Sequence, residues 1–355
     1  MKIKKSKYSI VGYLAILLYL LTHLGTLTLF PLPWYDETYM ASIGKAFLET
    51  GKFTKTLAYY TDVPKVDLRY GPLYFFVVAP VFKFLGFGIF QYRLISLVFG
   101  FVTLWLTFKI YYAEEKNKIN ANAIVIFLAL DSFYFRCMHE GRMDLMASGF
   151  MLSASIMLLS VLRTTDKKKV VIKLIFAGVL SALALLTSPR LGYSLPFIGI
   201  YLLIHFLRYK PRYTLVGAFS FIIPLFLLYS LWIFYAFGSY VNFIEFYKEN
   251  LGYTRLNGYP FYIPKQQTPL LLFTFMAVII GVIRHKTAFF SPLVIWSLLH
   301  IAAFYLIVYD NGPYASLIFP YLYILLFVQI SPNDWSFLRK TIGFEKGQRL
   351  DTQKK

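Results

Sequence analysis

Two adjacent carboxylates, Asp36 and Glu37, follow directly on the first apolar run of the chain, in Pro33-Trp34-Tyr35-Asp36-Glu37-Thr38-Tyr39. Further along, Arg142 and Asp144 stand two positions apart just before another apolar run, beside His139 and Glu140, and Arg190 follows Pro189 at the end of a later one. Lys52, Lys55 and Arg69 lie between the carboxylate pair and the next apolar segment. Charges next to the ends of apolar segments are expensive, so a collection of them points to a site. A carboxylate can take a proton from an attacking hydroxyl, and cations can stabilise a departing phosphate. A lipid phosphate leaves as a stable anion without a general acid, unlike the leaving group of glycoside hydrolysis. Asp36 can equally be read as a helix cap, a role that contributes about 1 kcal/mol. Asp144 can begin the helix after it, and Arg142 can pair with Asp144 or Glu140 and anchor a helix end.

Other chemistries find no support. No Gly-x-Gly-x-x-Gly follows a strand, and Gly44-Lys45 and Gly51-Lys52 lack the earlier glycine of a phosphate loop. His139-Glu140 has Met143 where a zinc helix needs its second histidine. The single cysteine, Cys137, excludes an internal disulfide framework. His23, His205, His285 and His300 read as packing or interfacial residues.

The elements that must position these residues are membrane helices. The 355 residues are 58% hydrophobic, 20% aromatic and only 15% charged. Continuous apolar runs recur at the length that crosses a hydrocarbon core of about 30 Å, which argues against barrel strands. The net charge of +19 does not indicate nucleic acid, because Lys and Arg fall in short clusters between apolar runs.

The basic start and the run over 8–30 read as an uncleaved first transmembrane helix with a cytoplasmic N-terminus. Residues 36–50 read as a short amphipathic helix, with Met40, Ile43 and Phe47 on one side and Gly51 as its stop. The segment 71–86 is apolar but short, and carries Pro72, Pro80 and Lys83. Taking it as re-entrant or interfacial places 23 of the 36 Lys and Arg inside and 13 outside, so that topology is preferred. The remaining spans are expected at 91–112, 120–136, 143–163, 171–188, 191–208, 213–237, 268–284, 287–308 and 314–331. The expected fold is an all-α polytopic membrane protein of about ten transmembrane helices: a membrane domain at 1–331, a helical first outer loop at 31–90, a long outer loop at 238–267 and a short basic cytoplasmic tail at 332–355.

Four stretches, in order, resemble the integral-membrane glycosyltransferases of the GT-C class, in particular the group of protein O-mannosyltransferases and the aminoarabinose transferase acting on lipid A. They are Tyr35-Asp36-Glu37-Thr38-Tyr39-Met40-Ala41 leading to Leu48-Glu49-Thr50-Gly51-Lys52-Phe53; Arg69-Tyr70-Gly71-Pro72-Leu73-Tyr74-Phe75 running through Phe84-Leu85-Gly86 to Tyr92-Arg93-Leu94; Gly141-Arg142-Met143-Asp144; and Leu185-Leu186-Thr187-Ser188-Pro189-Arg190. Gly71 stands where the family has the first of two prolines, and Arg190 where it often has lysine. The resemblance covers about residues 1–210; beyond them it is one of hydropathy, apart from Tyr314 to Tyr321.

The resemblance implies a GT-C-like bundle in the cytoplasmic membrane, with its site on the outer face. It implies a polyprenyl-phosphate sugar as donor and a lipid, glycan or protein hydroxyl as acceptor. It makes Asp36 the general base or a group that positions the acceptor, with Glu37 a supporting carboxylate. It gives Arg142 and Arg190 to the lipid phosphate, with Lys52, Lys55 and Arg69 as weaker candidates for it, and makes Asp144 a further supporting carboxylate in the substrate site; His139 is a further candidate for substrate binding. A divalent metal, if one takes part, would fall to Glu37 and Asp144. Membrane lipids are the other expected partners. The alternative is a transporter or flippase of lipid-linked sugars, which would need polar residues near the midplane of several helices.

Overall fold

The computed structural model describes residues 7–54, 70–209, 214–255, 267–286, 290–307 and 315–330. Lys55, Arg69, Tyr314, residues 256–266 of the loop expected at 238–267 and the tail from 331 lie outside them. Every element described is a helix: α1 (Lys7–Thr26), α2 (Tyr35–Thr50), α3 (Leu73–Leu85), α4 (Ile89–Glu115), α5 (Lys118–Leu130), α6 (Ser132–His139), α7 (Asp144–Arg163), α8 (Lys167–Thr187), a 3-10 turn (Pro189–Ser194), α9 (Leu195–Tyr209), α10 (Thr214–Phe237), α11 (Tyr240–Arg255), α12 (Thr268–His285), α13 (Pro292–Ile307), a second 3-10 turn (Ala315–Leu317) and α14 (Phe319–Val328).

The chain is a multi-pass membrane protein, and its described residues hold fewer candidate crossings than the ten expected. Among the described residues six helices are long and apolar enough to cross, or seven if α5 and α6 form one broken span. Four of the expected spans fall short among the described residues, the first of them with the apolar helix Leu14–Thr26. Asp131 breaks the run at 120–136: its Oδ1 accepts the backbone N–H groups of Phe133 and Tyr134, and α6 leaves α5 at 66°. The run at 287–308 yields 16 helical residues, and that at 314–331 a 3-10 turn and then ten helical residues.

Helix α2 forms as its pattern predicts. Met40 and Ile43 are fully buried, Phe47 is partly buried, and Gly51 ends the helix in the left-handed region at φ 70°. Helix α3, at 13 residues, is roughly 20 Å long, short of the hydrocarbon thickness. It packs on α2, where Gly44 lets the backbone of α2 approach; a Cβ there would lie 2.4 Å from Val78. Together α2 and α3 form a small apolar cluster with Tyr92, Met143, Met146 and Trp232, against the main core.

Helix α7 occupies the middle of the bundle between α4 and α8. Lipid is as apolar as leucine, so helices associate here through small residues that let backbones close. Gly178 of α8 is one: a Cβ on it would sit 2.3 Å from the Phe221 carbonyl of α10. Because α7 and α8 run antiparallel, the start of α7 and the end of α8 share one end of the bundle. The start of α2 is joined to that end by the contacts described next.

Candidate active site

Two helix N-termini bring three carboxylates together. Asp36 and Glu37 lie in the first turn of α2, and Asp144 is the first residue of α7. The partial positive charge of a helix start favours carboxylates at these positions. Neither Asp36 nor Asp144 makes a capping hydrogen bond. Glu37 instead reaches back to the Trp34 backbone N–H at 3.4 Å.

Glu37 is fully buried and, with the Trp34 contact, accepts four hydrogen bonds. Arg93 of α4 donates to it twice, Nε to Oε1 at 2.8 Å and Nη2 to Oε2 at 2.6 Å, and the Gly141 N–H donates to Oε1 at 2.7 Å. The third guanidinium nitrogen of Arg93 donates to the Leu27 carbonyl at 2.8 Å, which ties in the end of α1 and its following turn. Two-point pairing of this kind is the geometry that compensates desolvation of both charges.

Arg142 stands between the other two carboxylates. Its Nε donates to Asp144 Oδ2 at 2.8 Å and its Nη1 to Asp36 Oδ2 at 3.2 Å, while the guanidinium lies over the Trp34 ring, 5.4 Å from its centroid. The side chains of Arg142 and Asp144 are 3% exposed; that of Asp36 is 31% exposed. Asp36 is thus the member of the triad open to a reactant. Two carboxylates share one guanidinium, so the triad carries a net charge of −1. The segment is fixed by Ser96 of α4, whose hydroxyl donates to the Arg142 carbonyl at 2.8 Å and accepts its N–H at 3.0 Å. Gly141 is required here: a Cβ would lie 2.1 Å from the ring of Tyr92. Beside the triad, Arg136 donates to Glu140 at 2.6 Å. Burial nevertheless pushes the Glu140 carboxyl above the usual carboxylate range.

The fourth stretch joins through its backbone. A Cβ on Gly71 would stand 1.9 Å from the Leu186 carbonyl, so the start of α3 rests directly on the end of α8. Arg190, in the 3-10 turn that follows α8, lies over the ring of Tyr70 at 5.6 Å. Asp36, Glu37, Arg142 and Asp144 are therefore brought together, and Arg190 is held beside the start of α3.

Other expected residues fall elsewhere. Lys52 is exposed beyond the far end of α2, roughly 24 Å along the helix from its start. His139 is fully buried, and its Nε2 faces His23 Nδ1 at 3.1 Å and the His23 carbonyl at 3.3 Å. Lys55 and Arg69 lie outside the described residues. Arg93, Ser96 and Tyr92, one turn of α4, were not among the expected site residues. An arginine inside an apolar span was the available signal, since such a charge implies a partner.

As metal ligands the carboxylates fit poorly in this arrangement. Both oxygens of Glu37 are engaged, and the Arg142 guanidinium fills the place of a cation between Asp36 and Asp144. Among the described residues no group of three or more His, Cys, Asp or Glu is placed to hold a metal ion.

No protein-family model matches the chain, and no curated protein matches it in sequence. Solved structures do match. ArnT from Cupriavidus metallidurans bound to undecaprenyl phosphate superposes with a TM-score of 0.66 at 17% identity, covering 96% of this chain and 64% of that one. The archaeal oligosaccharyltransferase AglB from Archaeoglobus fulgidus, in complex with an inhibitory peptide and a dolichol-phosphate, gives 0.54 at 12% identity, covering 99% of this chain and 53% of that one. A further structure of the A. fulgidus oligosaccharyltransferase, tethered to an acceptor peptide, gives 0.58 at 14% identity over 96% and 51%. The fold is the GT-C fold. The chain spans 64% of the length of ArnT and about half that of the oligosaccharyltransferases.

Proposed function

We propose that this protein transfers a sugar from a polyprenyl-phosphate-linked donor to a hydroxyl of a lipid, glycan or protein acceptor, on the outer face of the cytoplasmic membrane. The observation that carries the reading is the triad Asp36–Arg142–Asp144, in which only Asp36 is open to a reactant. It sits in a fold shared with a protein bound to undecaprenyl phosphate and another in complex with a dolichol-phosphate.

Asp36 acts as general base. Its carboxylate takes the proton of the acceptor hydroxyl, and that oxygen attacks the anomeric carbon from the face opposite the phosphate. The bond from that carbon to the phosphate oxygen breaks, and its electron pair leaves with the lipid phosphate. One displacement, with no covalent intermediate, inverts the anomeric centre. Arg142 and Asp144 orient Asp36, and Glu37 with Arg93 fixes the N-terminal turn of α2. Arg190 supplies positive charge to the leaving phosphate. Lys52 and His139 keep peripheral roles in substrate binding, Lys55 and Arg69 stay candidates for the donor phosphate, and no step is routed through a metal. Helices α2 and α3 belong to the first outer loop, with α3 interfacial or re-entrant. No observation favours the transporter or flippase reading.

The test is turnover: purified protein is incubated with polyprenyl-phosphate sugars and a panel of hydroxyl acceptors. Release of polyprenyl phosphate with formation of a glycoside of inverted configuration supports the reading; retention of configuration contradicts the single displacement.

A further inference from the structure

We propose that Tyr74 is a positioning residue for sugar transfer: its buried hydroxyl joins Tyr92 and Ser96 in a chain of hydrogen bonds that ends on the Arg142 backbone, and so sets the guanidinium between Asp36 and Asp144. The assignment rests on the sugar-transfer reading above.

The starting point is a pair of phenols whose packing does not require a hydroxyl. Tyr74 of α3 and Tyr92 of α4 are fully buried, in the otherwise apolar cluster that α2 and α3 form against the main core. Their rings meet edge to face at 5.8 Å and 77°, a contact that phenylalanine makes equally well. A hydroxyl taken out of water is costly unless it is hydrogen-bonded, so two of them side by side imply a use. The Tyr74 hydroxyl lies beside both the Tyr92 hydroxyl and Ser96, within the fields of Glu37 and Asp144. Neither phenol completes a hydrogen bond in this geometry. Polar contacts around an active site commonly align only once substrate is seated.

The chain has a direction. Ser96 Oγ donates to the Arg142 carbonyl at 2.8 Å and accepts the Arg142 N–H at 3.0 Å, which leaves it a second lone pair. Tyr74 donates into that lone pair, and Tyr92 donates to the Tyr74 oxygen. Each hydroxyl proton then has one acceptor, and hydrogen bonds in series polarise one another.

Its place in the fold gives the chain its purpose. Tyr74 follows four positions after Tyr70, whose ring lies under Arg190, and α3 starts against the end of α8 at Gly71. The chain therefore runs from the helix beside the donor cation to the arginine that orients the base, and it fixes the two halves of the site relative to each other. A misplacement of about 1 Å is enough to cost about a hundredfold in rate.

The experiment is a double-mutant cycle of Tyr74→Phe and Ser96→Ala in the full-length protein. It is read by steady-state kinetics, with the best polyprenyl-phosphate sugar and acceptor of the turnover panel, and by thermal unfolding in detergent. Tyr74→Phe keeps the ring and its packing. It is expected to lower kcat about tenfold with donor KM within about twofold of wild type. Ser96→Ala is expected to lose at least as much. The double variant should fall no more than about twofold below Ser96→Ala, because both changes cut the same chain. Losses that multiply, a normal kcat in Tyr74→Phe, or a loss that appears in donor KM instead would each overturn the role. Melting shifts follow the same rule and need no turnover. Non-additive shifts in a protein that transfers no sugar would keep the chain and remove the transferase reading. Transfer by the wild type with both cycles additive would keep that reading and remove the chain.

Discussion

Glu37 and Arg93 meet in a two-point ion pair with neither side chain exposed, at 2.8 and 2.6 Å. They lie on α2 and α4, 56 positions apart, and together with the Gly141 N–H and the Arg142–Asp36 pair they join the first turn of α2 to the membrane bundle. Removing one partner strands a buried charge. Arg93→Met should therefore cost about 3–5 kcal/mol, and the double variant Glu37→Leu with Arg93→Met should recover part of it. Thermal unfolding in detergent reads both. A double variant less stable than either single one would contradict this account of the pair.

Gly71 touches the Leu186 carbonyl, and no side chain can yield to make room there. Gly71→Ala should destabilise by about 1–3 kcal/mol through overpacking and shift Tyr70 away from Arg190. Donor binding should fall with it. Wild-type stability and binding in Gly71→Ala would show that the two helix ends can separate freely.

Arg190 rests on the ring of Tyr70. Arg190→Ala should raise KM for the donor about tenfold to a hundredfold, more than it lowers kcat. Tyr70→Phe keeps the ring face and should stay near wild type, while Tyr70→Ala should move KM in the direction of Arg190→Ala. Steady-state kinetics over donor concentration separates these outcomes.

Arg142 bridges two carboxylates through two nitrogens set in one plane. A lysine keeps the charge and loses the fork, so Arg142→Lys should lower kcat about a hundredfold with the fold intact. Asp144→Asn should lower kcat as well and leave donor binding unchanged. Kinetics alongside a melting curve checks both; a Lys variant with normal kcat would reduce Arg142 to a counter-charge.

The parts of this architecture that depend on local pattern were readable in the sequence. The buried side of α2, its end at Gly51, and a cluster of Asp36, Arg142 and Asp144 follow from periodicity, glycine chemistry and charges beside apolar ends. What was hidden is set by contacts between distant segments. Arg93 reads as one charge in an apolar helix until packing places Glu37 and the Leu27 carbonyl around it. His139 stands next to Glu140 in sequence, but α6 turns it toward His23. The number of crossings was overread for the same reason: hydropathy registers the apolar run at 120–136, and not that the Asp131 side chain takes over two backbone N–H groups and bends it.

Asp36 is the hinge of the functional reading, and one comparison addresses it directly: single-turnover transfer from a polyprenyl-phosphate sugar by wild-type protein and by Asp36→Asn, with donor binding measured on the same samples. A carboxylate acting as general base predicts a loss of about 10²–10⁴-fold in transfer, with donor affinity and melting temperature close to wild type. Transfer by Asp36→Asn at near-normal rate would contradict the account.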